Sequence, residues 1–257
     1  MSNAVIKIDR EKCTGCKQCI KDCPATAIKL VNGKAEAKPG CIECGHCYAI
    51  CPSNAVEMIG YSTKGLGDMA SMESFDSKEL LQAMKSRRTV RRFKDIPVEN
   101  EKLDMILEAG RFSPTGANSQ NVAYTILGSK QTEIEKECVK LFRTGVKAGS
   151  IFVPFLKDKE IDDNFFFKKA PVVIVVSGKD SVNASLASSY MELMAESLGL
   201  GVLYSGFFVM CSSVNPKIKS TLKLPKGHKV ATCMVIGYPD VKYQRIAPRR
   251  ALKAKTL

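Results

Sequence analysis

The chain of 257 residues has no tryptophan, only two histidines and no long apolar run. A helical membrane span needs roughly 18 consecutive apolar residues. The nearest approach, Pro171 to Ser177, is far too short, so no membrane partner is expected. Met1 to Val5 lacks the basic and then apolar stretches of a secretory signal, which makes a cytoplasmic protein the expectation. Scarce histidine works against conventional acid–base catalysis: His46 lies among cysteines and His228 in a Pro-Lys-Gly loop. No Gly-x-Gly-x-x-Gly loop is present, which disfavours a dedicated nicotinamide-binding domain. Without tryptophan or clustered aromatics the chain lacks stacking platforms for bases, and no nucleic-acid partner is expected.

Cysteine and positive charge are what the chain has in excess. The net charge is +13; residues 1–60 hold 8 basic and 6 acidic side chains, a balance of +2, so +11 falls on the remainder. Such an excess suits polyanions, bound phosphate or an acidic protein partner, and composition alone does not choose among them. Of eleven cysteines, eight lie between Cys13 and Cys51. A disulfide scaffold belongs to small exported chains, which leaves metal ligation as the better account of the eight. Cys138, Cys211 and Cys233 sit among apolar neighbours and are expected to be small core residues.

The eight fall in a repeat. Cys13-Thr14-Gly15-Cys16-Lys17-Gln18-Cys19 followed by Cys23-Pro24 recurs 28 residues later as Cys41-Ile42-Glu43-Cys44-Gly45-His46-Cys47 followed by Cys51-Pro52. Each half predicts a short strand, a cysteine loop, a short helix and a second short strand, with Ile6/Ile8 and Ile28/Leu30 as strand positions. Three thiolates at two-residue gaps can wrap one corner of an iron–sulfur cubane. Zinc is the competing reading, but zinc sites pair Cys-x2-Cys units into fours and have no use for a third cysteine at the same gap. The segment resembles two-cluster bacterial ferredoxins, in which the fourth cysteine of each run ligates the other cluster. The resemblance implies two 4Fe–4S clusters, one held by Cys13, Cys16, Cys19 and Cys51, the other by Cys41, Cys44, Cys47 and Cys23.

Residues 1–60 are therefore read as a ferredoxin domain, and 61–76, aperiodic and holding two glycines, as a linker. Different grammar governs 77–257. Asp76 and Glu79 resemble a capping box ahead of Leu80, Leu81 and Met84. Pro97 is expected to open a second helix through Leu103, Ile106, Leu107 and Gly110. Val122–Leu127 reads as a strand and Ile134/Cys138/Leu141 as a helix. Val172–Val176 reads as a buried strand and Ala184–Leu198 as a helix closed by Gly199 or Gly201. Asn215-Pro216 caps a short helix before a last buried strand, Val230–Ile236.

Four arginines crowd into Arg87-Arg88-Thr89-Val90-Arg91-Arg92, a donor array suited to phosphate. Alone it also reads as a solvated face, a nucleic-acid patch or a kinase site. Further along come Ser113-Pro114-Thr115-Gly116-Ala117-Asn118-Ser119-Gln120, then Leu198-Gly199-Leu200-Gly201 running to Tyr204-Ser205-Gly206. Gly237-Tyr238-Pro239-Asp240 and Pro248-Arg249-Arg250 follow near the end. In this order and at these distances the elements resemble the flavin-dependent nitroreductase family over roughly Ser77 to Leu252.

That resemblance implies an α+β fold, FMN at a homodimer interface, and no catalytic side chain, because the flavin carries the chemistry. It points to Arg87, Arg88, Thr89, Arg91 and Arg249 for the flavin phosphate. It points to Pro114, Thr115, Asn118 and Gln120 for the ring and ribityl chain, and to Tyr204, Ser205 and Gly206 for the ring face. Many members read Gln-Pro-Trp where this chain has Gln120-Asn121-Val122, which alters a wall near the substrate. Iron–sulfur clusters pass single electrons and a flavin can deliver pairs, so the two modules complement each other. The expected activity is reduction of a nitroaromatic, quinone-like or other conjugated small-molecule acceptor. Electrons would come from a donor such as an external ferredoxin or another redox protein, or from NADH or NADPH bound over the flavin. Rival readings are an electron carrier serving a partner protein, and a specialised flavin reductase or dehalogenase.

Overall fold

The computed structural model describes residues 5–67, 69, 76–147 and 160–256. Of the linker expected over 61–76, residues 68 and 70–75 lie outside the described residues. The chain divides into two compact units, Met1–Ser74 with Thr115–Ser119, and Phe75–Pro114 with Gln120–Leu257.

In the first unit the sequence repeat becomes a structural one. β1 (Ile6–Ile8), α1 (Gln18–Lys21) and β2 (Ile28–Val31) form one half, and β3 (Lys34–Ala37), α2 (His46–Ala49) and β4 (Val56–Met58) the other. Strands pair across the halves, β1 with β4 and β2 with β3, both antiparallel. Each four-residue helix starts from a left-handed residue, Lys17 (φ 64°) or Gly45 (φ 74°), and buries its one cysteine, Cys19 or Cys47. The core consists of Ile6, Ile28, Ala35, Ala55 and Val56 together with Cys13, Cys19 and Cys47. So few apolar side chains cannot offset the ordering of some sixty residues, and bound metal must contribute.

The second unit is built on a four-stranded, wholly antiparallel sheet. β5 (Val122–Ile126), β6 (Val172–Gly178), β7 (Gly201–Tyr204) and β8 (Lys229–Gly237) lie in the order β5-β6-β8-β7. Every residue of β6 is buried, as its β-branched run requires, so both sheet faces are covered. Val173, Val175, Leu203, Cys233 and Val235 face α5 (Gln131–Lys147), α7 (Gly206–Val214) and α8 (Pro216–Leu222). Val172, Ile174, Val176, Met234 and Ile236 face α4 (Asn100–Arg111) and α6 (Ser181–Ser197). Helices on both faces of an antiparallel sheet make the α+β fold. Cys138, Cys211 and Cys233 are all buried in the first of these layers, as expected of small core residues.

α3 (Ser77–Ser86) starts where expected, with the Asp76 carboxylate accepting from Lys78 and Glu79 amides. Asn215 caps α8 in the same way. Gly199, at φ +76°, ends α6. Gly201 instead opens β7, at a point where a Cβ would lie 2.4 Å from Val90 Cγ2. Two helices start elsewhere than the sequence suggests. α4 begins at Asn100 rather than Pro97, because Glu99 is still extended (ψ 143°) and serves as the N-cap. α6 begins three residues before Ala184, because the Asp180 side chain accepts from Val182 N. β7 and α7 were not anticipated as elements.

Candidate functional site

The cysteine loops of the first unit wrap two separate cavities. One is lined by Cys13, Cys16, Cys19 and Cys51; the other by Cys41, Cys44, Cys47 and Cys23. The fourth cysteine of each run thus lines the cavity of the opposite run. Amide hydrogens point at several of the sulfurs. Ala35 N donates to Cys13 Sγ (3.4 Å) and Ala55 N to Cys51 Sγ (3.3 Å) around the first cavity. Ala27 N donates to Cys23 Sγ (3.2 Å) and Glu43 N to Cys41 Sγ (3.3 Å) around the second. Burial pushes the Cys47 thiol up to about 11 and the Cys19 thiol upward. At these two positions burial favours the neutral thiol, whereas a bound cation would favour the thiolate. Four sulfurs converging on a small cavity, with amides aimed at them, fit an iron–sulfur cubane.

Gly15 shows why the first loop reads as it does. Its φ is +73°, and a Cβ there would lie 2.2 Å from the carbonyl oxygen of Gly33 in the β2–β3 turn. The equivalent position of the second loop, Glu43, is also left-handed (φ 59°) yet carries a side chain, which accepts a hydrogen bond from the Tyr61 hydroxyl (2.5 Å).

In the second unit the arginine run lies beside the sheet edge. Thr89 bridges Val202 of β7 in parallel sense and Val90 N donates to Val202 O (3.0 Å), two residues from Tyr204. Tyr243 closes on the same stretch: its hydroxyl donates to Thr89 O (3.1 Å), and the Arg88 guanidinium sits 6.0 Å from its ring centre. The arginine run thus pairs with the strand that ends at Tyr204, and Tyr243, six residues before Arg249, lies against Thr89. Among the described residues Arg88, Arg91 and Arg249 form no ion pair, so their guanidinium groups remain available to an anion.

Arg87 differs. Its Nη1 donates to Glu192 of α6 at 2.6 Å, with the two side chains 23 % and 11 % exposed. A carboxylate already engages this guanidinium, so a phosphate would have to share it. Glu196, one turn on, titrates above the ordinary carboxylate range because it is buried and faces Glu192, and its Oε1 has no partner among the described residues. Tyr204 turns its hydroxyl inward to Ser188 O (2.9 Å) and titrates above the usual phenol range through burial. Its backbone and that of Ser205, whose N–H donates to Cys233 O (2.8 Å), shape this edge.

Pro114 and Gln120 bracket a strained stretch. Ala117 (φ 50°), Asn118 (φ 51°) and Gln120 (φ 45°) are all left-handed without being glycine. Such backbone costs roughly 1–2 kcal/mol per residue, and it gathers at functional loops. Thr115–Ser119 belong to the first unit, where the Asn118 side-chain amide donates to the carbonyls of Ile42 (3.2 Å) and Glu43 (2.9 Å). Sequence reading missed Glu192 and Tyr243. Glu192 alone carried a signal, as one of few carboxylates in a helix of small and apolar residues.

Residues 84–238 match the nitroreductase family, and residues 5–52 match the 4Fe-4S dicluster domain. The FMN reductase (NAD(P)H) of Bacillus subtilis strain 168 is 28 % identical over 174 residues, covering 63 % of this chain and 66 % of that protein. This chain thus spans just under two thirds of that relative's length. Among solved structures, a nitroreductase with bound FMN from Desulfitobacterium hafniense DCB-2 superposes with a TM-score of 0.58 at 19 % identity, covering 72 % of this chain and all (100 %) of that one. A nitroreductase with bound FMN from Bacteroides fragilis NCTC 9343 gives 0.52 at 23 % identity, covering 70 % and 97 %. Fold and matched domains together define a nitroreductase-family domain with a 4Fe–4S dicluster domain at its N-terminal side. The chain belongs to the nitroreductase family. No helix among the described residues is long and apolar enough to cross a membrane.

Proposed function

We propose that this chain is an FMN- and iron–sulfur-dependent oxidoreductase that reduces a nitroaromatic, quinone-like or other conjugated acceptor, working as a cytoplasmic homodimer. The observation that carries the reading is the sorting of the eight repeat cysteines into two sets of four around two cavities, in the crossed pattern. When bound, the clusters supply single-electron transfer, and the flavin supplies transfer singly or in pairs. Cys13, Cys16, Cys19 and Cys51 would hold one cluster, and Cys41, Cys44, Cys47 and Cys23 the other. Arg88, Arg91 and Arg249 would neutralise the flavin phosphate, with Arg87 contributing through the donors that Glu192 leaves over. Thr89 would join the arginines at the phosphate, the backbone of Tyr204–Gly206 would face the flavin ring, and Pro114, Thr115, Asn118 and Gln120 would contact the ring and ribityl chain. Domain limits follow the same reading, with a ferredoxin domain over 1–60, a linker over 61–76 and the flavin domain over 77–257.

The electron donor is the discriminating question, since the Bacillus subtilis relative's name includes NAD(P)H. Visible spectra of the anaerobically purified protein, taken before and after NADH or NADPH, test it. Reduction of the cluster absorbance only by a reduced ferredoxin or similar low-potential protein, followed by reoxidation on adding a nitroaromatic or quinone, is the expected result. Prompt bleaching of the flavin band by a nicotinamide nucleotide would reassign the donor. No reoxidation by any small acceptor would favour a carrier that serves a partner protein.

A further inference from the structure

The two cysteine loops are copies in sequence, but their surroundings are not. Around Cys13, Cys16, Cys19 and Cys51 a hydroxyl and a cation are added. Ser53 Oγ lies 3.7 Å from Cys51 Sγ, and Ser53 lines that cavity. A ligating cysteine is a thiolate with no proton to give, so the serine hydroxyl is the donor. Lys34, half-buried, donates from Nζ to the Cys13 carbonyl at 2.5 Å, placing a positive charge beside the loop. The repeat counterpart of Ser53 is Ala25, which has no hydroxyl. Around Cys41, Cys44, Cys47 and Cys23 the added group is instead a carboxyl, Glu43, fixed by the Tyr61 hydroxyl (2.5 Å) and sitting where the first loop has Gly15. Gly15 cannot be replaced in kind, because Gly33 O occupies the Cβ position.

Hydrogen bonds to a ligand sulfur and nearby positive charge stabilise the reduced, more negative cluster, and nearby negative charge destabilises it. Ser53, Lys34 and Glu43 act in one direction, and His46 lines the second cavity where the first has Gln18. We propose that the centre held by Cys13, Cys16, Cys19 and Cys51 has the higher potential of the two, and that Ser53, with Lys34, sets the difference. The inference rests on the two-cluster reading above. Each centre takes up one electron, with no bond made or broken, and the first electron to enter the pair resides at the Ser53 side. A tenfold preference for that side corresponds to 59 mV for a one-electron couple.

The test is an anaerobic titration of the whole protein with dithionite, followed by electron paramagnetic resonance, with iron and sulfide measured on each sample. Two one-electron steps are expected from the native chain. Ser53→Ala should move the upper step down and leave the lower one in place. Ala25→Ser, which copies the first loop into the second, should move the lower step up. Iron and sulfide should stay constant in both variants. Two complete centres whose steps ignore both substitutions, or a Ser53→Ala shift confined to the lower step, would overturn the inference. Iron and sulfide for only one centre in the native chain would overturn the two-cluster reading itself.

Discussion

Single side chains carry the two cofactor assignments, and they can be separated. Cys51 and Cys23 each leave their own loop to line the opposite cavity. Cys51→Ser should therefore damage the centre of Cys13, Cys16 and Cys19, and Cys23→Ser that of Cys41, Cys44 and Cys47. Each variant should lose about half of the iron, since a serine oxygen is a poor substitute for a thiolate. Spectroscopy of the surviving centre decides it: the opposite pattern of loss would overturn the crossed assignment. Arg88 forms no ion pair among the described residues and lies over the Tyr243 ring, so Arg88→Ala removes a guanidinium that no carboxylate engages. A charge-assisted contact is worth about 1.5–3 kcal/mol, so FMN should be retained roughly 10- to 100-fold less tightly at unchanged iron content. Unchanged flavin occupancy after gel filtration would assign the arginine run to other work. The cysteines were legible in sequence because liganding chemistry is tied to spacing. Arg87's engagement was not, because Glu192 lies 105 positions away and no local pattern announces the pair.

Elements were legible where local chemistry fixes them. Asp76 and Asn215 announce their helices, since an oxygen at the N-cap satisfies amides that nothing else can reach. The Val172–Val176 run announces a strand buried on both faces. β7 was hidden because Gly201 to Tyr204 is four residues long and opens on a glycine, so it reads as a turn. α7 was hidden because Gly206 to Val214 is mostly apolar, and its only polar residues, Ser212 and Ser213, are adjacent and give it no helical period. The left-handed Ala117 and Gln120 carried no signal, since neither residue type favours that backbone. Gly15→Ala tests how the first loop and the β2–β3 turn lock together. The new Cβ would collide with backbone that cannot swing aside, at a φ that alanine resists. We expect selective loss of the first centre, read as its missing signal, whereas full retention of both would mean the turn yields.

A second element depends on a buried carboxylate. Glu135 of α5 accepts from the amides of Phe166 (3.0 Å) and Phe167 (2.7 Å), anchoring the segment that packs Phe165 and Phe166 around Phe142. Burial raises its carboxyl from the ordinary 4.5 to about 7, opposed by the two amide bonds. Asp162 raises it further and Lys168 lowers it, while the Cys138 and Cys233 thiols face it from α5 and β8. Between those values the folded chain holds a proton that the unfolded chain has released. The stability conferred is thus complete below pH 4.5 and lost as pH rises through 7. Glu135→Gln keeps an acceptor for the amides and removes the charge. Its stability relative to the native chain should improve by about 1–3 kcal/mol between pH 5 and pH 8. Melting curves at both pH values check this, and a difference independent of pH would mean that Glu135 stays ionised throughout.

At the scale of the whole molecule, sequence reading recovered both family matches from the order of short motifs, because cofactor-binding loops constrain residue type and spacing more tightly than the scaffold does. The acceptor was not legible, since Gln120-Asn121-Val122 departs from the Gln-Pro-Trp expected from the resemblance. On the proposed function, joining a one-electron module to a flavin module in one chain would make transfer between them intramolecular, independent of the concentration of a carrier. That coupling requires both cofactors in one polypeptide at full occupancy. The most direct test is therefore quantitative analysis of iron, acid-labile sulfide and flavin in the anaerobically purified chain. The account predicts about eight irons, about eight sulfides and one FMN per chain. Zinc in place of iron, about four irons, or a chain that holds its clusters but takes up no FMN would contradict it.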